Sequence, residues 1–200
     1  GQPLEFEEIR KEVNLAEAPE LKERYGIDPA KMYAASGKAQ DHARSLFAAA
    51  RIMFEKEGHH ITLVILLRDG RPVGMPMEHG HKFMMMRALA QEAQKIGADA
   101  TVLIGESWSA PANPDKPYMR AADSPDRKEF LTATAVSRDG EPILLRAEIL
   151  RDGKTVKLDE TREEFGGAHF IFAPLYVVWK KPIPVQWGDL PTGFDGTEQK

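Results

Sequence analysis

The chain has 200 residues, 42% of them hydrophobic and 29% charged, with a net charge of −4 at pH 7 and an isoelectric point near 5.9. That is enough chain to bury a core without staples, since a domain of this size hides roughly 70% of its unfolded surface. The absence of cysteine excludes disulfides, cysteine zinc sites, thiol catalysis and iron–sulfur clusters, and the acidic balance argues against a nucleic-acid binder, which needs a concentrated basic surface. No apolar run approaches the roughly 18 residues of a membrane-spanning helix. No basic segment followed by an apolar one reads as a leader, so the expected compartment is the cytoplasm, away from any membrane.

In chain order, the pattern opens with short helices over 4–13 and 19–25, the second ended by Gly26. Asp28 as N-cap and Pro29 in the first turn start a longer helix, in which Ala43, Leu46, Phe47, Ala50, Met53 and Phe54 recur at helical spacing up to the stop at Gly58. Ile61–Leu67 is a continuous, β-branched apolar run, as in a strand covered on both faces. Asp69-Gly70 then predicts a tight hairpin, with the return strand over 72–77. A helix follows over 81–96, with Met86, Leu89, Ala90, Ala93 and Ile96 on one face and Gly97 as its C-terminal stop.

The second half reads as strands over 100–108, 128–137, 143–150 and 155–158, the last three joined through Asp139-Gly140 and Asp152-Gly153, both expected to be two-residue turns with positive φ. The segment 170–179 reads as a final strand, with Pro174 placing it at an edge or bulge. Proline and glycine then dominate an extended tail. The expected architecture is a single α+β domain over 28–179, with a helical N-terminal extension over 1–27 and a tail over 180–200. Its mostly antiparallel sheet of five to six strands carries packed helices. Leu63, Ile65, Leu67, Met86, Leu89, Ile96, Val102, Ile104, Leu131, Ala133 and Leu145 are expected to share one core.

The most chemically suggestive stretch is Met75-Pro-Met-Glu-His-Gly-His-Lys82. Imidazole and carboxylate ligate zinc and other transition metals, and a His-x-His pair on extended backbone points both rings the same way. His59 and His60 begin the strand that pairs with this segment, so a candidate metal set is Glu78, His79, His81, His59 and His60. Met75 and Met77 share parity with the two histidines, which would suit copper(I). The plainer reading is a polar connector between strand and helix, with no cofactor. A JAB-type metallopeptidase pattern would continue with seven residues and then Ser-x-x-Asp, but Leu89 occupies the serine position. Gly105-Glu-Ser107-Trp-Ser109 lacks the second glycine of a nucleophile elbow. No complete catalytic constellation emerges, and no catalytic residue is assigned. The expected function is therefore a non-enzymatic interaction or regulatory protein, bound to a protein partner or to itself. The alternative is a metal-dependent, hydrolase-like enzyme centred on the histidines.

The order of elements over 28–158 resembles Roadblock and longin/profilin-like domains in topology alone, which implies no site. Gly97-Ala-Asp-Ala100, Glu106-Ser-Trp108, Ser124-Pro-Asp-Arg-Lys-Glu129 and Arg138-Asp-Gly140 resemble a pattern in a family of bacterial and phage proteins. That resemblance implies no activity.

Overall fold

The computed structural model describes residues 19–76, 82–116 and 119–188. The helix expected over 4–13, the segment Glu78, His79 and His81, and the end of the tail lie outside the described residues. Among those described, four α-helices surround seven strands: α1 (Pro19–Tyr25), α2 (Ala39–Glu57), β1 (Leu63–Arg68), β2 (Arg71–Pro76), α3 (Lys82–Ile96), β3 (Ala100–Ser109), β4 (Lys128–Ser137), β5 (Ile143–Asp152), β6 (Thr155–Leu158), β7 (Arg162–Phe165) and α4 (Ala173–Val178). The fold is α+β, a single domain on one antiparallel sheet in the order β2-β1-β3-β4-β5-β6, with β7 beside β5.

β1 lies between β2 and β3, which explains its unbroken apolar sequence. Val64, Leu66 and their alternates Ile65 and Leu67 are all buried, because helices cover both faces. The core is therefore two cores. On one face α1 and α2 pack Leu46, Phe47 and Phe54 against Ile65, Leu67, Val102, Ile104, Leu131, Ala133 and Leu145. On the other, Met86, Leu89 and Ala93 of α3 join Val64, Leu66, Val136 and the α4 residues Leu175 and Tyr176. The single shared core expected from sequence is thus corrected. Successive strand residues face opposite sides, and Met86 and Leu89 belong with Val64 rather than with Ile65. Leu63 is only half-buried.

Three further elements differ from expectation. Asp28 and Pro29 do start a helical turn, with the Asp28 carboxylate accepting the Ala30 N–H, but that turn is a 3-10 piece over Pro29–Lys31 and α2 begins at Ala39. Between them the chain folds back on the β1–β2 turn: Gly37 (φ +69°) sits against Gly70, where an added Cβ would meet Gly37 Cα at 2.9 Å. The buried His42 ring fastens this contact, its Nδ1 accepting the Ala34 N–H (2.9 Å) and its Nε2–H donating to the Gly70 carbonyl (3.0 Å). The Asp69-Gly70 turn itself is as expected, with both residues at positive φ and Arg68 opposite Arg71.

The Asp139-Gly140 link is not a two-residue turn. The β4–β5 ladder closes at Ala135 opposite Ile143, and β4 continues to Ser137 against β3, so the loop is longer and Gly140 needs no positive φ. In the third hairpin Asp152 pairs with Thr155, which makes Gly153-Lys154 the turn.

The expected strand over 170–179 is helical: a 3-10 turn at Phe170–Phe172 leads into α4. Pro174 sits in the first helical turn, where its missing N–H is no loss. Phe172, Leu175, Tyr176 and Trp179 make the buried stripe, and the Trp179 indole N–H donates to the Ala98 carbonyl at 2.7 Å. Beyond α4, Lys181 Nζ donates to the carbonyls of Ser137 (2.7 Å) and Gly140 (2.6 Å), and Trp187 packs on Tyr176 while its N–H donates to Ala168. Residues 180–188 thus form a strap, with a 3-10 turn at Val185–Trp187. No described helix is long and apolar enough to cross a membrane.

Candidate ligand groove on the sheet face

Among the described residues, the helices on the α3 side cover only part of their face of the sheet. α3 and α4 lie over Val64, Leu66 and Val136. Towards the far ends of β3, β4 and β5 the same face presents Ser107, Phe130, Thr132, Thr134, Leu144 and Arg146. With Leu103 these residues floor a groove of about 380 Å³, walled by Met86 and by Gly167, His169, Ile171 and Phe172. The alternation of the strands places them there: Thr132 and Arg146 are cross-strand partners, as are Phe130 and Glu148. Thr132 Oγ1 donates to the Gly105 carbonyl across the ladder (3.1 Å). His169 Nδ1 accepts the Ile171 N–H at 3.2 Å, shaping the wall.

A second cavity of about 340 Å³ adjoins the first and shares Ser109, Phe130 and Arg146 with it. Its lining is charged, including Asp126, Lys128, Glu148, Asp159, Glu160 and Arg162, and is partly self-neutralised by the Lys128–Glu148 pair at 3.0 Å and the Arg162–Asp159 pair at 3.9 Å. Arg146 therefore stands at the junction. Its guanidinium lies 5.3 Å from the centre of the Phe130 ring, and Nη2 meets Glu164 Oε1 of β7 at 2.5 Å. Its Nε is buried without a hydrogen-bond acceptor among the described residues.

On the opposite face, past the end of α2, a polar trio crosses the sheet diagonally. Arg151 holds Glu129 through both Nε (2.7 Å) and Nη2 (2.9 Å), while Glu106 accepts the His60 N–H at 2.7 Å. Burial, and then the neighbouring Glu129, raise the Glu106 carboxyl above the usual glutamate range, whereas the Arg151 fork holds Glu129 below it. Trp108 closes this end, with the Arg127 guanidinium 4.9 Å above its ring.

Of the sequence-predicted metal set, only His59 and His60 fall among the described residues. The described hairpin register ends at Leu63 opposite Pro76. Each imidazole turns its Nδ1 to a main-chain carbonyl, His59 to Glu57 and His60 to Ile61, and the His60 backbone is tied to β3 through Glu106, on the side of β1 away from β2. Burial lowers the His60 imidazole from its usual value. Among the described residues, no group of three or more histidine, aspartate or glutamate side chains could hold a metal ion. Ser107 and Ser109 lie within the continuous strand β3, not at a strand-to-helix turn. Sequence reasoning missed Arg146, Phe130 and the 167–172 wall. Arg146 alternates regularly with the buried Leu145 and Ala147, a pattern that by itself does not separate a groove from a solvent face.

Fold and groove together define a small α+β protein with a mixed apolar and polar cleft on one sheet face. The family model described as bacteriophage lambda protein ea47 matches residues 1–192, and the chain belongs to that family. No curated protein and no solved structure matches it.

Proposed function

We propose that the protein works by binding, and that the groove centred on Phe130, Thr132 and Arg146 is its working surface. The observation that carries this reading is a groove that the described helices leave on this sheet face, whose volume of about 380 Å³ falls within the range of ligand sites, roughly 300–1,000 Å³. Its lining follows the same pattern: apolar surface from Leu103, Leu144, Ile171 and Phe172, with a few polar groups to fix orientation. The groove is built on strands, which hold side chains more precisely than loops do. The strap of 180–188 secures α4, and through α4 the wall at Phe172.

A mixed set of neutral, cationic and anionic fragments, followed by amide NMR, tests the reading. Binding should concentrate on signals of residues 103–109, 130–134, 144–146 and 167–172. A Thr132→Trp variant that keeps the wild-type melting temperature should lose it. Hits scattered over the surface, or unchanged binding to the filled groove, would overturn the proposal.

A further inference from the structure

We infer that a second copy of this chain pairs, about a two-fold axis, with the outer edge of β6 and β7, a surface separate from the groove. β6 and β7 lie end to end along β5 and pair with it from Asp152 to Ile143. Three steps along β5, from Ile149 to Arg146, take four on the other side, from Leu158 to Arg162. The joint is therefore a bulge within one bent edge strand. Among the described residues no strand pairs with its outer side, and residues 160–167 are all exposed. The ladder shows which main-chain groups face out. The Asp159 N–H donates to the Glu148 carbonyl (2.9 Å) and the Gly166 N–H to the Pro142 carbonyl (3.0 Å), and residues bonded inward alternate with residues that point outward. Val156 and Leu158 of β6, and Glu163 and Phe165 of β7, thus offer their N–H and C=O groups to a further strand. The opposite edge of the sheet does not. There Arg68 and Arg71 close the turn, so residues 72, 74 and 76 face outward, and Pro72 and Pro76 have no N–H to give. Proline at such positions blunts an edge.

Charge complementarity selects the occupant. An antiparallel copy with its Phe165 opposite Val156 also brings its Glu163 opposite Leu158, so every outward residue meets an outward residue. The same register sets Lys157 opposite Glu164 and Asp159 opposite Arg162, each twice by symmetry, since a two-fold contact uses one patch on both copies. These charges share the groove-side face, because Lys157 pairs with Leu150 and Glu164 with Leu144. Within one chain Asp159 and Arg162 already lie 3.9 Å apart, so the two copies would assemble a set of four alternating charges. On the α2 side Val156 meets Phe165, which is 52% exposed in the single chain. Competing registers set like charges directly opposite, which is unfavourable. β7 against β7, with Glu163 facing Phe165, puts Glu164 on Glu164. β6 against β6, with Val156 facing Leu158, puts Lys157 on Lys157. Sliding the preferred register to the next outward residue either way puts Lys157 on Arg162 or Glu160 on Glu163.

The test uses the full chain. Sedimentation equilibrium at micromolar to millimolar loading should show a monomer–dimer equilibrium, and amide hydrogen exchange at the two ends of that range should locate the contact. The amides of Val156, Leu158, Glu163 and Phe165 should gain protection at high concentration, and that of Gly74 should not. Lys157→Glu changes an exposed side chain and should weaken dimerisation at least about tenfold, since two symmetric pairs turn from attraction to repulsion. Phe165→Pro removes an outward donor and an apolar contact from each copy while sparing the N–H groups bonded to β5, and should weaken it likewise. If that variant fails to fold, Lys157→Glu decides. A chain that stays monomeric to millimolar concentration would overturn the inference. So would a dimer whose protected amides lie elsewhere, or a Lys157→Glu dimer as tight as wild type. None of these outcomes bears on ligand binding in the groove.

Discussion

The separation of the core into two clusters has an energetic consequence that a double-mutant cycle reads directly. Leu89 of α3 is 3% exposed and Ile104 of β3 is 2% exposed, but the sheet lies between their side chains. Leu89→Ala removes three carbons, Cγ and its two methyls, from the α3 side and should cost about 2–5 kcal/mol through lost transfer energy and the cavity left behind. Ile104→Val removes one methylene beneath α2 and should cost about 0.5–1.5 kcal/mol. The sum stays within the stability of about 5–15 kcal/mol that ordinary domains possess, so the double variant remains measurable. Because the two cavities open on opposite faces and share no side-chain partner, the coupling should be below about 0.5 kcal/mol. Urea unfolding followed by far-ultraviolet circular dichroism and by tryptophan fluorescence supplies the four free energies, with coincident curves as the check on two-state behaviour. A coupling above about 1 kcal/mol would show one continuous core and refute the two-cluster description. A Leu89→Ala cost near zero would show that α3 is not packed on the sheet.

Gly70→Ala should destabilise by at least about 1–2 kcal/mol from its left-handed backbone alone, and by more because the new Cβ would meet Gly37 backbone at 2.9 Å; a wild-type midpoint in thermal unfolding would refute that close approach. Glu106 has a raised carboxyl pKa in the fold, so the native state holds its proton over a window above the ordinary glutamate value of about 4.3. Stability from this group is therefore present at low pH and lost as pH rises through that window. Glu106→Gln should stabilise the protein at pH 7 and be neutral at pH 4, and denaturant midpoints at the two values check the sign; equal effects would refute it. Glu129 runs the other way, its folded pKa lowered by Arg151. Arg151→Met should remove a contribution that is present above the ordinary glutamate value and lost as pH falls, so its cost should shrink in acid. For the histidine pair, elemental analysis of untagged protein and of a His79→Ala/His81→Ala variant should find no stoichiometric zinc, iron or copper in either. One equivalent in wild type that the variant loses would establish the metal reading instead.

Much of this fold follows from sequence alone because its signals are local. Gly58 and Gly97 end α2 and α3 in left-handed caps, Asp69-Gly70 turns the first hairpin, and the α2 stripe of Leu46, Phe47, Ala50 and Phe54 packs as its spacing requires. The phage relationship was legible too, in the Gly97–Ala100, Glu106–Trp108 and Ser124–Glu129 stretches. α4 was legible in principle, since Phe172, Leu175, Tyr176 and Trp179 recur at helical intervals, but the β-branched pair Val177-Val178 and the short length favoured a strand. β7 carried no signal. Arg162-Glu-Glu-Phe165 is exposed throughout and is a strand only because β5 offers an open edge beside Ile143–Arg146.

The groove belongs to the second kind. Periodicity assigns Arg146 to one face of β5 and Met86 to one face of α3. It does not say which faces meet, because that depends on how far α3 and α4 reach across the sheet. A hydrophobic stripe determines that a residue is buried, and only the packing of elements distant in sequence determines against what. The chain by itself determined β1 to β6, the glycine caps and the turn at Gly70. The arrangement of helices on two faces, and the sheet end where Arg146 meets Phe130 and Glu164, were decided by tertiary structure, since non-local contacts are made by segments whose sequences carry no record of one another.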